Sequence, residues 1–330
     1  MNERKARVIS QEKGIYRIQS GTDVKSASVS GKYRYEAVMV SDYPAVGDYV
    51  IAEWQEGDGN AIITRLVPRK SCFIRKAAGK GSREQVVAAN IDTVLICMSL
   101  NQNFNIRRLE RYLSVTYDSG AAPVVVLTKA DLCPDTESKI AEVQNAAIGV
   151  DVIAVSSLED DFQAVMPYIL PGRTIAFLGS SGVGKSTLIN RLTGKDDIAT
   201  GETGDNDKGR HTTTHRKLIT LQNGAFVIDT PGMRELGMWD SGSGIDTAFA
   251  DIEELSRSCK YADCTHTAEP GCAVLRALEE GMLDAARLAS YRKLKTENNY
   301  VADNSRYLEA KRAKFKEIAK INKSGKKNRF

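Results

Sequence analysis

Long hydrophobic runs, a large net charge and a rich supply of histidine are all missing from this 330-residue chain. Its most apolar stretch, Val86 to Leu100, is broken by Asn90, Asp92 and Thr93, and is too short and too polar to span a bilayer. No secretory leader is read at the start, so a cytosolic protein is expected. Lys and Arg number 46 against 42 Asp and Glu; with 42% apolar and 27% charged residues, this composition excludes a wholly disordered or collagen-like chain. The near balance conceals an asymmetry. Lys311 to Phe330 carries nine basic residues and one glutamate, so the preceding 310 residues hold 37 basic against 41 acidic. A mildly acidic body ends in a basic tail. Such a tail can bind a phosphate backbone with salt-sensitive strength, or simply be solvated. Six cysteines fall into two groups: Cys72, Cys97 and Cys133 are scattered, whereas Cys259, Cys264 and Cys272 lie within fourteen residues. Clustering in a cytosolic setting favours metal over disulfide.

The texture of the chain divides it into three expected units, residues 1–69, 70–240 and 241–330. The first shows short β-rich runs at Val8 to Ser10, Ile15 to Ile18, Ala27 to Tyr33, Ala37 to Val40, Tyr49 to Trp54 and Ala61 to Leu66, punctuated by glycines. About five strands in this length suggest a small closed barrel, of OB type or, alternatively, SH3-like. In the second unit, strands alternate with helix-length segments, the pattern of a mostly parallel α/β sheet. The expected strands are Ile91 to Met98, Val124 to Leu127, Val152 to Val155, Thr174 to Leu178, Leu218 to Leu221 and Ala225 to Ile228. Ile106, Leu109, Leu113 and Tyr117 recur at helical spacing and read as a core face. The third unit opens on a Gly/Ser-rich linker, Ser241 to Gly244, and continues through the cysteine cluster into helices around Ala273 to Leu278 and Asp284 to Lys295.

After the strand Thr174 to Leu178 comes Gly179-Ser180-Ser181-Gly182-Val183-Gly184-Lys185-Ser186-Thr187, followed by a helical pattern. This is the G-x-x-x-x-G-K-S phosphate loop in its strand, loop, helix context. The glycines let backbone N–H groups face phosphate oxygens at a helix N-terminus, Lys185 reaches the β- and γ-phosphates, and the Ser186 hydroxyl ligates Mg²⁺. Asp229-Thr230-Pro231-Gly232 follows at the end of another strand: Asp229 is expected to hold Mg²⁺ through water, and the Gly232 N–H to sense the γ-phosphate. Between them lies Gly209-Arg210-His211-Thr212-Thr213-Thr214. There Thr213, with Thr212 or Thr214 as alternatives, is expected to complete the Mg²⁺ shell only when a γ-phosphate is present.

Guanine needs an acidic group for its N1–H and exocyclic amine. The strand Val124 to Leu127 ends in Thr128-Lys129-Ala130-Asp131, where Asp131 can specify the base and Lys129 can lie over its plane. Thr128 stands where GTPases usually place Asn, which puts nucleotide affinity in question more than base identity. Ser156-Ser157, after the next strand, is either a guanine O6 contact or a helix N-cap. Base recognition precedes the phosphate loop in this chain, the reverse of an ordinary GTPase, which implies a circular permutation. Nucleotide state could then move the C-terminal unit, into which the chain passes directly after Gly232.

The permuted order, the N-terminal barrel, Gly-Arg-His-Thr-Thr-Thr, Ala88-Ala89-Asn90-Ile91-Asp92, Arg111-Tyr112-Leu113 and the cluster below together resemble the RsgA (YjeQ, EngC) family of ribosome small-subunit-dependent GTPases. The resemblance covers nearly the whole chain. It implies an OB-type barrel, a circularly permuted P-loop GTPase domain and a mostly helical zinc domain, acting as a monomer on the 30S subunit and its rRNA late in maturation. It also implies slow intrinsic GTP hydrolysis that the subunit accelerates.

Cys259-x4-Cys264-x-His266-x5-Cys272 offers three thiolates and one imidazole, a full tetrahedral set for one structural Zn²⁺ with no position open to water. The Cys-x-His step is unusual among generic zinc spacings but matches the resembling family. Met233 stands where a Ras-type enzyme places the water-orienting Gln, so intrinsic turnover is expected to be low. His211, one of three histidines, is the candidate substitute; its bland reading is a solvent-facing loop residue. Arg210 or Arg234 could stabilise transition-state charge. Rival readings are a passive rRNA-binding chaperone with a structural nucleotide, and a GTPase regulating metabolism or the membrane surface through the basic tail; the tail lacks the hydrophobic face that membrane insertion requires.

Overall fold

A computed structural model describes residues 2–12, 14–37, 39–55, 57, 59–76, 84–156, 161–194, 217–229 and 242–300. The N-terminal strands are β1 (Asn2–Glu12), β2 (Ile15–Ser20), β3 (Asp23–Val29), β4 (Tyr49–Trp54) and β5 (Ala61–Leu66). They close in the order β1-β2-β3-β5-β4 back to β1, with β3 and β5 parallel and the other pairs antiparallel. That order and the short helix α1 (Gly31–Glu36) between β3 and β4 make this an OB-type barrel. Its core is Val8, Ile18, Val50, Ala52, Ala61 and Ile63, every one almost completely removed from water.

Two strand expectations are corrected here. The run Ala27 to Tyr33 leaves the sheet at Val29, because the Ser30 hydroxyl accepts the Tyr33 N–H at 3.1 Å and caps α1, which buries Tyr33. Ala37 to Val40 is not a strand. Ala37 ends α1 by donating to Tyr33 O, and the Asp42 carboxylate accepts the Met39 N–H at 2.7 Å, so the chain turns where alternation alone reads β.

The hairpin β6 (Cys72–Lys76) and β7 (Glu84–Ala89) leads into the second sheet, built from β8 (Thr93–Ser99), β9 (Ala122–Thr128), β10 (Val152–Val155), β11 (Thr174–Leu178), β12 (Lys217–Thr220) and β13 (Phe226–Asp229). The order β10-β9-β8-β11-β13-β12 is parallel except for the edge pair β12–β13. β1 then joins β12 antiparallel at Ser10 and Lys217, so barrel and sheet are continuous. α2 (Ile106–Ser119), α3 (Thr136–Ala146) and α4 (Lys185–Thr193) connect the strands. α2 is capped by the Asn105 side chain, which accepts the Arg108 N–H at 3.0 Å, and ends at Gly120 in the left-handed region.

The C-terminal helices are α5 (Gly242–Ala248), α6 (Ala250–Ser256), α7 (Ala273–Glu279) and α8 (285–300). Ile245, Ile252, Val274, Leu288 and Tyr291 from these helices, and Phe249 between α5 and α6, enter one core cluster with Leu109 and Leu113 of α2, so the α2 stripe is indeed a core face. The Gly/Ser linker expected at Ser241 to Gly244 is corrected: Gly242 opens α5. Gly244 permits the close crossing of α5 on α2, since a Cβ there would lie 2.1 Å from Ser114 O. No described helix is long and apolar enough to cross a membrane. The basic tail lies outside the described residues.

Candidate nucleotide site and metal centre

The carboxyl ends of β11, β8 and β9, adjacent and parallel, form the floor on which nucleotides bind in sheets of this kind. β11 is buried along its whole length and delivers the loop 179–184 into α4. Gly179 has no room for a side chain: its added Cβ would lie 2.3 Å from Cys97 O on β8. Gly184 has φ 90 and occupies the N-cap of α4. Burial pushes the neighbouring Cys97 thiol up to about 12, so it stays protonated, with Lys185 acting weakly in the opposite direction. Lys185 is buried, and its Nζ donates to the carbonyls of Gly179, at 2.7 Å, and of Ser180. Ser181 and Gly182 are exposed at the loop tip, and Ser186 and Thr187 are half-buried in the first turn of α4.

Thr128, the departure from Asn, is buried at the end of β9, and its Oγ1 donates 2.6 Å to the carbonyl of Val183 inside the phosphate loop. A hydroxyl therefore makes the tie between base motif and loop that the usual amide makes. Lys129 follows with φ 60, a left-handed kink that starts the turn Ala130–Leu132. Asp131 is exposed there, and its Oδ1 accepts the Ser156 hydroxyl at 2.9 Å from the end of β10. The two residues read as guanine contacts thus meet across adjacent strand ends. Asp229 is the last residue of β13, one beyond the Ala176–Ile228 pair, which puts its backbone beside the loop-bearing strand. Ser157, His211, Thr213 and Gly232, with Arg210, Met233 and Arg234, lie outside the described residues.

One contact is absent from the motif reading. Arg108, in the first turn of α2, donates from Nη1 to Ser180 Oγ at 3.0 Å. The signal available in the sequence was Arg107-Arg108 in the first turn after the Asn105 N-cap, where the positive end of the helix dipole disfavours cations.

Cys259, Cys264, His266 and Cys272 converge between α6 and α7, with their ligand atoms all within 4.8 Å of one another. Cys259 and Cys272 Sγ are 3.9 Å apart, and His266 Nδ1 is 3.6 and 3.5 Å from them. None of the six cysteines forms a disulfide. His266 adopts φ 59, and its ring packs against Tyr291 of α8 at 6.3 Å. This group could hold a metal ion.

The family model described as RsgA GTPase matches residues 66–239. Small ribosomal subunit biogenesis GTPase RsgA 2 of Lactiplantibacillus plantarum is 48% identical over 305 residues, spanning 92% of this chain and 86% of its own. The chain belongs to the RsgA GTPase family. It is accordingly a GTP hydrolase. The crystal structure of YjeQ from Thermotoga maritima shares the fold, with TM-score 0.68 at 22% identity over 90% of this chain and 99% of that one. The crystal structure of YloQ, described as a circularly permuted GTPase, has TM-score 0.67 at 28% identity over 90% and 96%. The permuted order is visible here directly: β9 with its base motif precedes β11 with its phosphate loop.

Proposed function

We propose that this RsgA-family GTPase acts in the cytoplasm as a monomer on the small ribosomal subunit and its rRNA, late in maturation, with slow intrinsic hydrolysis that the subunit stimulates. The observation that carries the reading is the Thr128–Val183 hydrogen bond, which ties a guanine-type motif to an intact phosphate loop in a chain of this family. Lys129, Asp131, Ser156 and Ser157 take the base; Gly179 to Thr187 take the phosphates. Ser186, Thr213 and Asp229 hold Mg²⁺, which when bound neutralises charge on the β- and γ-phosphate oxygens. The Gly232 N–H reads the γ-phosphate. His211 orients the attacking water once the subunit orders its segment, in place of the residue that Met233 replaces.

The units divide at about 69 and 240 into RNA-binding barrel, GTPase domain and zinc domain. The zinc assignment is supported by the donor set. Bonds of about 2.3 Å to sulfur and 2.05 Å to nitrogen in a tetrahedron imply edges of about 3.8 Å between sulfurs and about 3.6 Å from sulfur to nitrogen. Three of the edges agree with the 3.9 Å Cys259–Cys272 and the 3.6 and 3.5 Å His266 separations, and Cys264 lies within 4.8 Å of the other donors. Four protein ligands leave no open position, so an ion held there would be structural.

The test is GTP turnover by the full chain alone, with purified small subunits, and with large subunits as control. Stimulation of tenfold or more by small subunits alone is expected, and His211→Ala is expected to abolish it. Tight guanine nucleotide binding with no stimulation by either particle would favour a passive rRNA-binding chaperone.

A further inference from the structure

Helix α2 presents three arginines, and they are not equivalent. Arg107 pairs with Glu110 at 2.6 Å and with Asp284 at 3.0 Å. Arg111 makes a two-pronged pair with Glu297 at 2.6 and 2.9 Å. Arg108, between them, has no carboxylate within 4.0 Å among the described residues; its guanidinium is half-buried and turned to Ser180 Oγ instead. A cation in the first turn of a helix opposes the dipole, so this placement is unfavourable unless an anion compensates it.

The position of Ser180 identifies that anion. Its carbonyl, with that of Gly179, accepts the Lys185 ammonium. The lysine of this motif reaches the β- and γ-phosphates, so Ser180 lies at the end of the loop where those groups sit. Arg108 therefore stands beside the same end, and its remaining guanidinium N–H groups have no acceptor among the described residues. A guanidinium stays charged at any physiological pH and binds phosphate oxygens in a planar fork.

We propose that Arg108 is a positioning residue for the terminal phosphate of GTP: through Ser180 it fixes the start of the phosphate loop and places a second positive charge next to Lys185, favouring the triphosphate over the diphosphate. The proposal deepens the GTPase reading and rests on it. It differs from the expectation that Arg210 or Arg234 serves the phosphates, because Arg108 comes from α2 and not from a switch segment.

The experiment is equilibrium binding of GDP and of guanosine 5′-(β,γ-imido)triphosphate to the full chain with Mg²⁺, followed by single-turnover hydrolysis. Arg108→Gln is expected to weaken the triphosphate analogue about tenfold while changing GDP by less than about twofold, and to slow single-turnover hydrolysis. Arg108→Lys, which keeps the charge without the fork, is expected to lose about threefold. Ser180→Ala is expected to shift in the same direction, and the Arg108→Gln, Ser180→Ala double variant to be no worse than Arg108→Gln, as for two groups acting as one unit. Equal losses for GDP and the analogue in both Arg108 variants would reduce Arg108 to a structural role and overturn the proposal, as would no loss in either. Running ADP and the corresponding adenine analogue in parallel separates the two readings. Equal affinity for adenine would sink the guanine assignment, while the triphosphate-to-diphosphate ratio would still report on Arg108.

Discussion

Arg7 pins the barrel to the nucleotide-binding sheet, and Arg287 pins the C-terminal helices to α2, yet the two buried guanidiniums are satisfied in opposite ways. Arg287 places all five of its N–H groups on acceptors: the Asp251 carboxylate at 2.8 and 2.7 Å, Glu110 at 3.1 Å, and the carbonyls of Ala146 and Ala248 at 3.2 and 3.1 Å. Burial by itself lowers its pKa, and the bonds to Asp251 and Glu110 outweigh that and leave it raised. Arg7 has no carboxylate within 4.0 Å among the described residues. It donates to Gly47 O and Thr174 Oγ1, lies over the rings of Tyr49 and Phe226 at 5.0 and 4.5 Å, and leaves Nη1 buried without a hydrogen-bond partner among the described residues. Burial lowers its pKa, and the nearby Tyr49, Asp92 and Asp48 only partly oppose that. The rear joint is therefore an ion-pair network, in which removing Arg287 strands Asp251 and leaves Glu110 to Arg107 alone. The front joint is backbone pairing and ring stacking around one cation, from which that cation can be withdrawn without stranding a charge.

The largest effect should come from the metal centre, on which α8 and the rear joint lean through Tyr291. Structural zinc in small modules contributes about 10–16 kcal/mol of binding free energy at neutral pH. Cys272→Ser is expected to take bound zinc from one per chain to none and to abolish slow amide exchange across 242–300, while β1 to β5 keep theirs. Hydrogen exchange with elemental analysis checks this; matching losses in the barrel would show that the joints are not independent.

Next in size is Arg287→Met, which leaves the half-buried Asp251 without a cation and the fully buried Glu110 with Arg107 alone. Chemical denaturation should show a loss of about 3–5 kcal/mol, the usual result of breaking a buried pair on one side. Arg7→Met removes a desolvated charge and leaves neutral groups, so a change within about 1 kcal/mol is expected in the same measurement. A loss at Arg7 as large as that at Arg287 would erase the distinction between the joints.

The smallest effect is one of pH. Hydrogen bonds from Arg111 hold the Glu297 carboxyl below its ordinary value of 4.5. A carboxyl lowered in the folded state contributes stability that is complete above its unfolded pKa and is lost as pH falls through the folded one. The α2–α8 clamp should thus weaken below about pH 4.5 by no more than about 1 kcal/mol, since the pair is partly exposed. Arg111→Met should remove that component from the difference between the two pH–stability curves.

Much of the site was legible because its chemistry is written in short spacings. The phosphate loop needs six residues between a strand and a helix, and the metal group needs four donors in fourteen residues; neither depends on distant partners for recognition. The β11 and β10 bounds follow equally from local hydrophobic runs. What failed, failed where side chains compete with alternation. Ser30 turned an expected strand into α1, and Gly244 made a helix crossing out of an expected linker. The hairpin β6–β7 was overlooked because no period-two pattern announces it.

By itself the sequence determined the kinds of chemistry present: a phosphate loop, a guanine-type motif ahead of it in chain order, and a Cys₃His donor set. All are covalent-neighbour patterns whose geometry the backbone imposes. Only the tertiary structure decided which hydroxyl ties Thr128 to Val183, which arginine faces the loop at Ser180, and which buried cation has a carboxylate. Those pairings join residues far apart in the chain, and their free energy exists only after the surrounding core has excluded water.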